Sequence, residues 1–374
     1  MARAGARRER RPRAQRAPAA RDARLRGGRV VSAANPLRVG WIGAGTHATE
    51  MLLPQLTRRD VTLAALCELD PERLARIGAR FGVPDAARTR DVAALLARGD
   101  LDAIGMAVGP RQHVEFAVAA LERGLPVFIE KPPGASAADA RRIADASRKA
   151  GKPVIVGFMK RYSTANRIAI NIVKGPDFGA PASFLGEYMT APTYFVKDVD
   201  YTGFYLHHCT HYLDLVPHLM GRPLALTVRK HQLAPGKLLL HVHFDFAGGG
   251  LATLVMGTHQ SRATPMEWWQ VMGDHRRVEV RNVHEVRYYR ASSFKVDRAD
   301  ATLADGEDTL VWEPNLTVAA NEDHKGYHAI LGDFVAAARG QAVNAPTIED
   351  GVRAMTVYDA MMQSIETGKT VAVG

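Results

Sequence analysis

The chain has 374 residues, a length typical of two domains, and its 47% hydrophobic and 24% charged residues are in the ordinary globular range. These values exclude a wholly disordered, collagen-like or disulfide-stapled protein, and the presence of only two cysteines favours a reducing compartment. No apolar stretch approaches the roughly 18 residues that a membrane helix needs. We therefore predict a cytoplasmic protein that has no membrane partner.

The net charge of +10 is concentrated at the start of the chain. Residues 1–30 hold eleven arginines against two acids, which is a net +9 and leaves +1 for the remainder. Residues 1–36 are rich in Arg, Ala, Pro and Gly, a composition that predicts a disordered extension. A nucleic-acid-binding arm is the alternative for this tail, whereas the nearly neutral body disfavours nucleic acid as its partner.

The segment 37–158 predicts a doubly wound α/β domain with a parallel sheet. Its five short apolar runs are typical of strands buried on both faces, and helical patterns lie between them. The predicted strands are 37–42, 61–67, 103–107, 126–129 and 153–156. One helical stripe is formed by Val114, Ala117, Val118 and Leu121, and Ser136-x-x-Asp139 resembles a capping box that opens the next helix.

The segment 159–374 predicts a second domain, in which strands follow one another without intervening helices. This succession indicates a mostly antiparallel sheet. The predicted strands are 182–189, 224–232, 238–246, 251–257, 268–273, 277–280 and 286–290. A strong helix is predicted near 205–220, and two helices close the chain.

A glycine-rich turn follows the first predicted strand. In Gly43-x-Gly45-x-x-Ala48, the first glycine permits a tight turn, the second lets the backbone approach a pyrophosphate, and the third small residue allows close packing. Glu68 ends the second predicted strand, where a carboxylate can accept hydrogen bonds from an adenosine ribose. The sequence therefore predicts an NAD site, with NADP as a possibility and a plain glycine-rich turn as the alternative.

Two further clusters carry candidate chemistry. Lys131 comes directly after the fourth predicted strand, at the sheet edge where ligands bind in open α/β folds, although a surface lysine is the alternative. Farther along, His207, His211, Asp214 and His218 fall on one face of the predicted helix. An imidazole there can exchange a proton with a substrate hydroxyl. A zinc site and histidines satisfied within the core are the alternatives, and we predict no metal.

These separated motifs, in this order, resemble the Gfo/Idh/MocA family of glucose–fructose oxidoreductases and inositol dehydrogenases. The resemblance covers about residues 37–373. It rests on Val39-Gly40-x-Ile42-Gly43-x-Gly45, Leu66-Cys67-Glu68-x-Asp70-Pro71, Asp102-Ala103-Ile104 with His113, Glu130-Lys131-Pro132, Val156-Gly157-Phe158 with Arg161, His211-x-x-Asp214, and Ala360 to Gly368-Lys369 with Val371.

The resemblance implies a Rossmann domain, an α/β domain with an open sheet used for homo-oligomer contacts, and oxidation or reduction at a carbinol carbon of a sugar or cyclitol. It places the catalytic lysine at Lys131, the catalytic histidine at His211 and a substrate-side acid at Asp214. The inositol-type enzymes carry Asp four residues before the histidine, where this chain has His207. His207 can share the acid/base role or signal an altered activity.

From these motifs and the family resemblance we predict an NAD(P)-dependent dehydrogenase or ketoreductase that acts on a small polyol. The alternatives are a dinucleotide-binding regulator with altered catalysis and a redox-assisted glycosidase that recycles its NAD. Arg161 and Tyr162 are further substrate-binding candidates. The predicted cofactor-binding residues are Gly43, Gly45, Thr46, His47, Ala48, Glu68, Val108, His113, Glu130 and Lys131.

Overall fold

The computed structural model describes residues 35–191, 203–261, 266–290, 309–315, 317 and 323–374. The predicted disordered extension lies almost entirely outside these described residues. Pro36–Gly374 forms one compact unit. Within the described residues, no helix is both long enough and apolar enough to cross a membrane.

The first half of this unit is built on a six-stranded parallel sheet with the order β3-β2-β1-β4-β5-β6. Its strands are β1 Leu37–Ile42, β2 Val61–Cys67, β3 Arg88–Thr89, β4 Ala103–Met106, β5 Val127–Ile129 and β6 Val154–Val156. The helices are α1 Leu53–Leu56, α2 Pro71–Arg80, α3 Val92–Leu96, α4 Pro110–Glu122 and α5 Ala137–Ala150. The predicted doubly wound parallel sheet is confirmed, and β3 is a short edge strand that the sequence did not indicate.

The second half contains a nine-stranded sheet with the order β14-β13-β12-β11-β7-β10-β9-β8-β15. Its strands are β7 Ser183–Met189, β8 Pro223–Ala234, β9 Lys237–Phe246, β10 Leu251–Gly257, β11 Glu267–Met272, β12 Arg277–Arg281, β13 Glu285–Tyr289, β14 Thr309–Trp312 and β15 Val371–Ala372. Alternate side chains of β9 are buried, as its sequence predicts. The sheet is mostly antiparallel, but β7 and β10 pair in parallel.

Further helices either pack on this sheet or connect it with the first half. They are α6 Thr164–Val173, α7 Thr210–Met220, α8 Tyr327–Ala338 and α9 Ile348–Thr367. The side chains of α9 pack on α5 of the first half and on α7 and β8 of the second. The apolar side chains of α9 are buried between these elements and contribute to the cores of both halves.

Two helical segments are wound more widely than an α-helix. A π-helical turn, Ala48–Leu52, precedes α1, and a second, Phe204–Cys209, precedes α7. The helix predicted near 205–220 is therefore two segments. Such turns add residues to a helix and are frequent at functional sites.

Candidate functional site

The loops that follow β1, β2, β4 and β5 meet at the carboxyl edge of the parallel sheet. The strand order reverses between β1 and β4, and this is the place where ligands bind in open α/β sheets. Gly43 follows β1 with a φ of +87°, and a Cβ at this position would lie 2.4 Å from the carbonyl oxygen of Ala107. The turn therefore requires glycine at position 43.

The second glycine of the turn faces open space. A Cβ on Gly45 would meet no heavy atom within 4 Å. The helical winding begins immediately afterwards, so the turn leads into the amino end of a helical segment. This free surface beside exposed main-chain groups suits the pyrophosphate of a dinucleotide.

The Glu68 carboxylate supports the glycine turn from β2. One oxygen, Oε2, accepts a hydrogen bond from Ala44 N at 2.8 Å, while Oε1 accepts one from Asp70 N at 3.1 Å. Arg73 Nη1 lies 3.3 Å from the same Oε1, an ion pair that inspection of the sequence missed. The ion pair forms because Arg73 lies on the first turn of α2, close after the N-cap residue Asp70.

His113 joins two of the loops at this edge. Val108 N donates to His113 Nε2 at 3.1 Å, and His113 Nδ1 lies 2.9 Å from the carbonyl oxygen of Pro132. The ring is fully buried, and burial lowers its pKa to about 4. His113 is therefore a neutral link between the loops after β4 and β5, with both nitrogens engaged by the protein.

Glu130 is buried directly before Lys131. Its Oε2 accepts a hydrogen bond from Lys131 N at 2.8 Å, and its Oε1 lies 3.3 Å from His47 Nε2. The His47 ring also contacts Tyr327 edge-on, at the start of α8. The carboxylate thus connects the lysine to the turn that follows β1.

Lys131 reaches the second π-helical turn. Its Nζ donates a hydrogen bond to the main-chain carbonyl of His207 at 2.9 Å. Burial lowers the pKa of Lys131, Glu130 opposes this shift, and the charge of Lys160 adds to it. The fold therefore brings the predicted lysine to the predicted histidine segment across 76 residues.

His211 lies one turn farther along, buried beside the same ammonium groups. Burial lowers its pKa well below the usual value, and the charges of Lys131 and Lys160 lower it further. Its Nδ1 is buried without a hydrogen-bond partner, whereas many catalytic histidines are oriented at this atom. The ring contacts Tyr188 edge-on.

His207 and His208 extend this neutral imidazole cluster. Partial burial of the His207 ring, followed by the charge of Lys131, lowers its pKa to about 4. The side chain nevertheless keeps an exposed surface towards solvent. His208 stacks flat on Tyr188, with ring centroids 3.8 Å apart, and burial lowers its pKa to about 3. The pKa values of His207 and His211 are thus both lowered first by burial and then by the charge of Lys131.

A buried ion pair lies beside these rings, and inspection of the sequence did not identify it as part of the site. Lys160 Nζ lies 2.6 Å from Glu267 Oε2, and Tyr212 OH donates to the same oxygen at 2.9 Å. The ammonium also lies 4.6 Å from the centre of the Tyr188 ring. The one available signal was the charged Lys160 after the apolar run that forms β6.

The three predicted substrate-binding residues have protein partners. The Arg161 guanidinium pairs with both oxygens of the buried Asp214, and its Nη2 lies 2.9 Å from Asp350 Oδ1. Burial acts to lower the pKa of Arg161, but the two carboxylates raise it overall. Tyr162 OH donates to Asp333 at 2.6 Å. Among the described residues, no hydrogen bond or ion pair joins Asp214 or Tyr162 to Lys131 or His211.

The predicted metal alternative has no donor set. Nowhere in the described parts of the chain do three or more His, Cys, Asp or Glu side chains lie close enough together to hold a metal ion. His218 lies on the same helix face as His211, and its Nε2 lies 2.8 Å from Lys174 Nζ.

The residues at the sheet edge fit an NAD molecule. Gly45 leaves room where a pyrophosphate approaches, and the buried Glu68 carboxylate lies at the end of β2 for the adenosine ribose. Val108, His113, Glu130 and Lys131 continue the same edge towards His207, whereas Thr46, His47 and Ala48 begin the helical winding after the turn.

Comparisons with known proteins agree with this two-part fold. Residues 37–158 match the family model described as an oxidoreductase family with an NAD-binding Rossmann fold, and residues 178–373 match the model of that family's C-terminal α/β domain. The inositol 2-dehydrogenase of Klebsiella pneumoniae strain 342 is 33% identical over 148 residues. That alignment covers 39% of this chain and 43% of the relative, so the match spans less than half of the curated protein.

Two solved structures show the same fold over nearly the whole chain. A dehydrogenase from Chromobacterium violaceum has a TM-score of 0.75 at 22% identity, covering 88% of this chain and 95% of its own. Levoglucosan dehydrogenase in complex with NADH and levoglucosan has a TM-score of 0.75 at 19% identity, covering 90% of this chain and 99% of its own. At these identities the likeness establishes the fold.

Proposed function

Because the chain belongs to the Gfo/Idh/MocA oxidoreductase family, we propose that it is an NAD-dependent dehydrogenase or ketoreductase acting on a CH–OH group of a sugar, cyclitol or related polyol. The hydrogen bond from Lys131 Nζ to the His207 carbonyl carries the proposal, since it brings the ammonium to the histidine segment beside the glycine turn. The names of the inositol 2-dehydrogenase and levoglucosan dehydrogenase relatives support the substrate class.

A nicotinamide bound at this edge of the sheet would supply the hydride chemistry. Lys131 would orient the reacting oxygen and stabilise negative charge on it. His211 is neutral near pH 7 because its pKa is lowered, so it can accept the proton of a substrate hydroxyl. Since Nδ1 is enclosed and unpartnered, we assign the proton exchange to Nε2.

The proposed roles of the other predicted residues follow from the partners that each residue contacts in the fold. Glu130 and His113 hold the lysine loop, and His207 lies beside Lys131 at the position of the family's Asp. Asp214, Arg161 and Tyr162 would have to exchange protein partners for substrate to act as predicted. We retain 37–158 as the dinucleotide-binding domain and 159–374 as the substrate-binding and oligomerisation domain.

The proposed homo-oligomer would form through the nine-stranded sheet. Leu185, Leu251 and Met272 are exposed apolar side chains on strands of this sheet. Size-exclusion chromatography with light scattering tests the assembly, and a monomer at all concentrations would contradict it.

The test of function combines cofactor binding with turnover. NADH binding is measured by fluorescence, and absorbance at 340 nm is followed with NAD and a panel of inositols, aldoses and anhydrosugars. Turnover of one of these compounds supports the proposal. Tight NADH binding without turnover of any compound, in either direction, would favour the regulator, and cleavage of a glycoside without net NADH would favour the redox-assisted glycosidase.

A further inference from the structure

A polar cavity lies apart from the proposed catalytic lysine and histidine. It has a volume of about 590 Å³ and is lined by α6, the end of α7, α8 and the turn after α1. Lys131 and His211 are not among its lining residues. Arg161 and Tyr162, two of the predicted substrate-binding residues, do line it, so the cavity adjoins that part of the site but contains neither the proposed catalytic lysine nor the histidine.

Cations dominate the lining of this cavity. Arg59, Arg161, Arg167 and Lys174 contribute to it, whereas Asp333 is the one carboxylate among the described lining residues. That carboxylate accepts the hydrogen bond of Tyr162 OH at 2.6 Å. Arg161 is satisfied by Asp214 and Asp350, so it supplies charge to the wall without being free to bind.

Two of the cations have no acidic partner within the described part of the chain. The guanidinium of Arg167 has neither an ion pair nor a hydrogen bond, and the ammonium of Lys174 hydrogen-bonds to the imidazole of His218. With Asn171 they fall at i, i+4 and i+7, so all three project from one side of α6 and its C-terminal end. A guanidinium fork, an ammonium and an amide thus face one space.

The basic groups around the cavity are affected first by burial and then by neighbouring positive charges. Burial and then the charge of Arg161 lower the pKa of Lys174, and His218 is lowered to about 3 by burial and then by Arg161 and Lys174. Across the cavity, the buried Nε of Arg59 has no hydrogen-bond partner. A negatively charged ligand would compensate the charges of Arg167 and Lys174.

We propose that this cavity binds a small oxyanion, the phosphate or carboxylate group of a metabolite, through Arg167, Lys174 and Asn171. Guanidinium and ammonium groups are the side chains that bind such groups with charge-assisted hydrogen bonds. The volume accommodates a ligand larger than the anion itself. This inference goes beyond the proposed function and does not depend on it, because the binding needs neither cofactor nor substrate.

The test uses the full chain without cofactor. Inorganic phosphate and citrate are each titrated by isothermal calorimetry, with sodium chloride at matched ionic strength as the reference. We expect saturable binding of at least one probe. Phosphate alone indicates a phosphate ester as the ligand class, and citrate alone indicates a carboxylate.

The variants assign the binding to the cavity. Arg167→Gln with Lys174→Gln removes both unpaired charges, and we expect at least tenfold weaker binding, or about 1.4 kcal/mol. Arg76→Gln with Lys149→Gln removes the same charge from exposed positions outside the cavity and should leave the affinity unchanged. If the double variant unfolds, the single variants replace it, with circular dichroism as the check of folding.

Two results would overturn the inference. One is the absence of saturable binding of either probe beyond chloride. The other is equal binding by the cavity variants and by the surface control. Turnover with a polyol is measured separately, so failure of the dehydrogenase proposal would leave this binding result unaffected.

Discussion

The side chain of Lys131 donates a hydrogen bond to the main-chain carbonyl of His207 at 2.9 Å. This contact joins the end of a parallel strand to a π-helical turn in the other half of the molecule. Since the acceptor is a carbonyl of the backbone, it holds the ammonium whatever side chain stands at position 207. The lysine is therefore positioned by the fold of the turn.

Lys131→Met should abolish most of the turnover and retain NADH binding. Methionine fills a similar volume but offers no donor to the reacting oxygen, and loss of such a donor costs on the order of 10²- to 10³-fold in kcat. The measurements are turnover at 340 nm and NADH fluorescence. Lys149→Met, at an exposed position on α5, is the matched control. Unchanged kcat in Lys131→Met would contradict the catalytic role.

The two glycines of the turn should respond differently to alanine. Gly43→Ala places a Cβ against the Ala107 carbonyl at positive φ, so the free energy of unfolding should fall by roughly 1–3 kcal/mol or more. Gly45→Ala meets no protein atom and should leave the melting temperature nearly unchanged. Its methyl group instead occupies the approach of the pyrophosphate, so NADH binding should weaken by about tenfold or more. Equal NADH affinity of Gly45→Ala and wild type would argue against dinucleotide binding at this turn.

The sequence predicted the parts of the fold that are set locally. Buried apolar runs such as 37–42 and alternation such as that of β9 reflect burial on two faces or one, so they locate strands from composition alone. The parallel pairing of β7 with β10 depends on the order in which distant strands meet, which no local pattern encodes.

The candidate site likewise combines features that are set locally with contacts between distant residues. The glycine turn, Glu68, Lys131 and His211 were predicted because each occupies a fixed place relative to a strand or helix. The Lys160–Glu267 pair joins residues 107 positions apart, and the engagement of Asp214 by Arg161 joins residues 53 apart. Whether a charged residue binds a ligand or another side chain is decided by such tertiary contacts, so the sequence could not separate the two.

Glu68→Gln should reduce the preference for NAD over NADP. Glutamine keeps an acceptor for Ala44 N but removes the charge that repels a 2′-phosphate, and it leaves Arg73 paired with Asp70 alone, so that the guanidinium is more available to the phosphate. We expect the ratio of NADH to NADPH affinity to fall by about tenfold. The fluorescence titration of both cofactors measures this change, with Glu122→Gln on the exposed end of α4 as the control. An unchanged ratio would show that Glu68 does not set the selectivity.

Acid should destabilise the protein through its buried neutral histidines. The pKa of His113 is about 4 in the folded chain against about 6.5 when exposed, so the unfolded chain binds one more proton between these values. Stability conferred by the neutral ring is present above pH 6.5 and is lost as the pH falls towards 4. The expected slope is about 1.4 kcal/mol per pH unit for each such ring.

Urea unfolding at pH 7, 6 and 5 measures the slope. His113→Gln should be less stable at pH 7, because the link between Val108 and Pro132 is disturbed, but its slope should be shallower by up to one proton. His275→Gln, an exposed position, should keep the wild-type slope. The same slope in His113→Gln and wild type would refute the assignment.

His207→Asp should move the acid limb of the activity profile. In the oxidation direction, kcat/KM falls when the base is protonated, and the pKa of His211 is held low by burial and by the charges of Lys131 and Lys160. A carboxylate beside Lys131 counters that positive field, so it should raise the pKa of the base by about one unit. The acid limb should then shift to higher pH by the same amount. His207→Asn places a neutral side chain of the same size there and should not shift the limb, so identical profiles for the Asp and Asn variants would exclude electrostatic control of His211 from position 207.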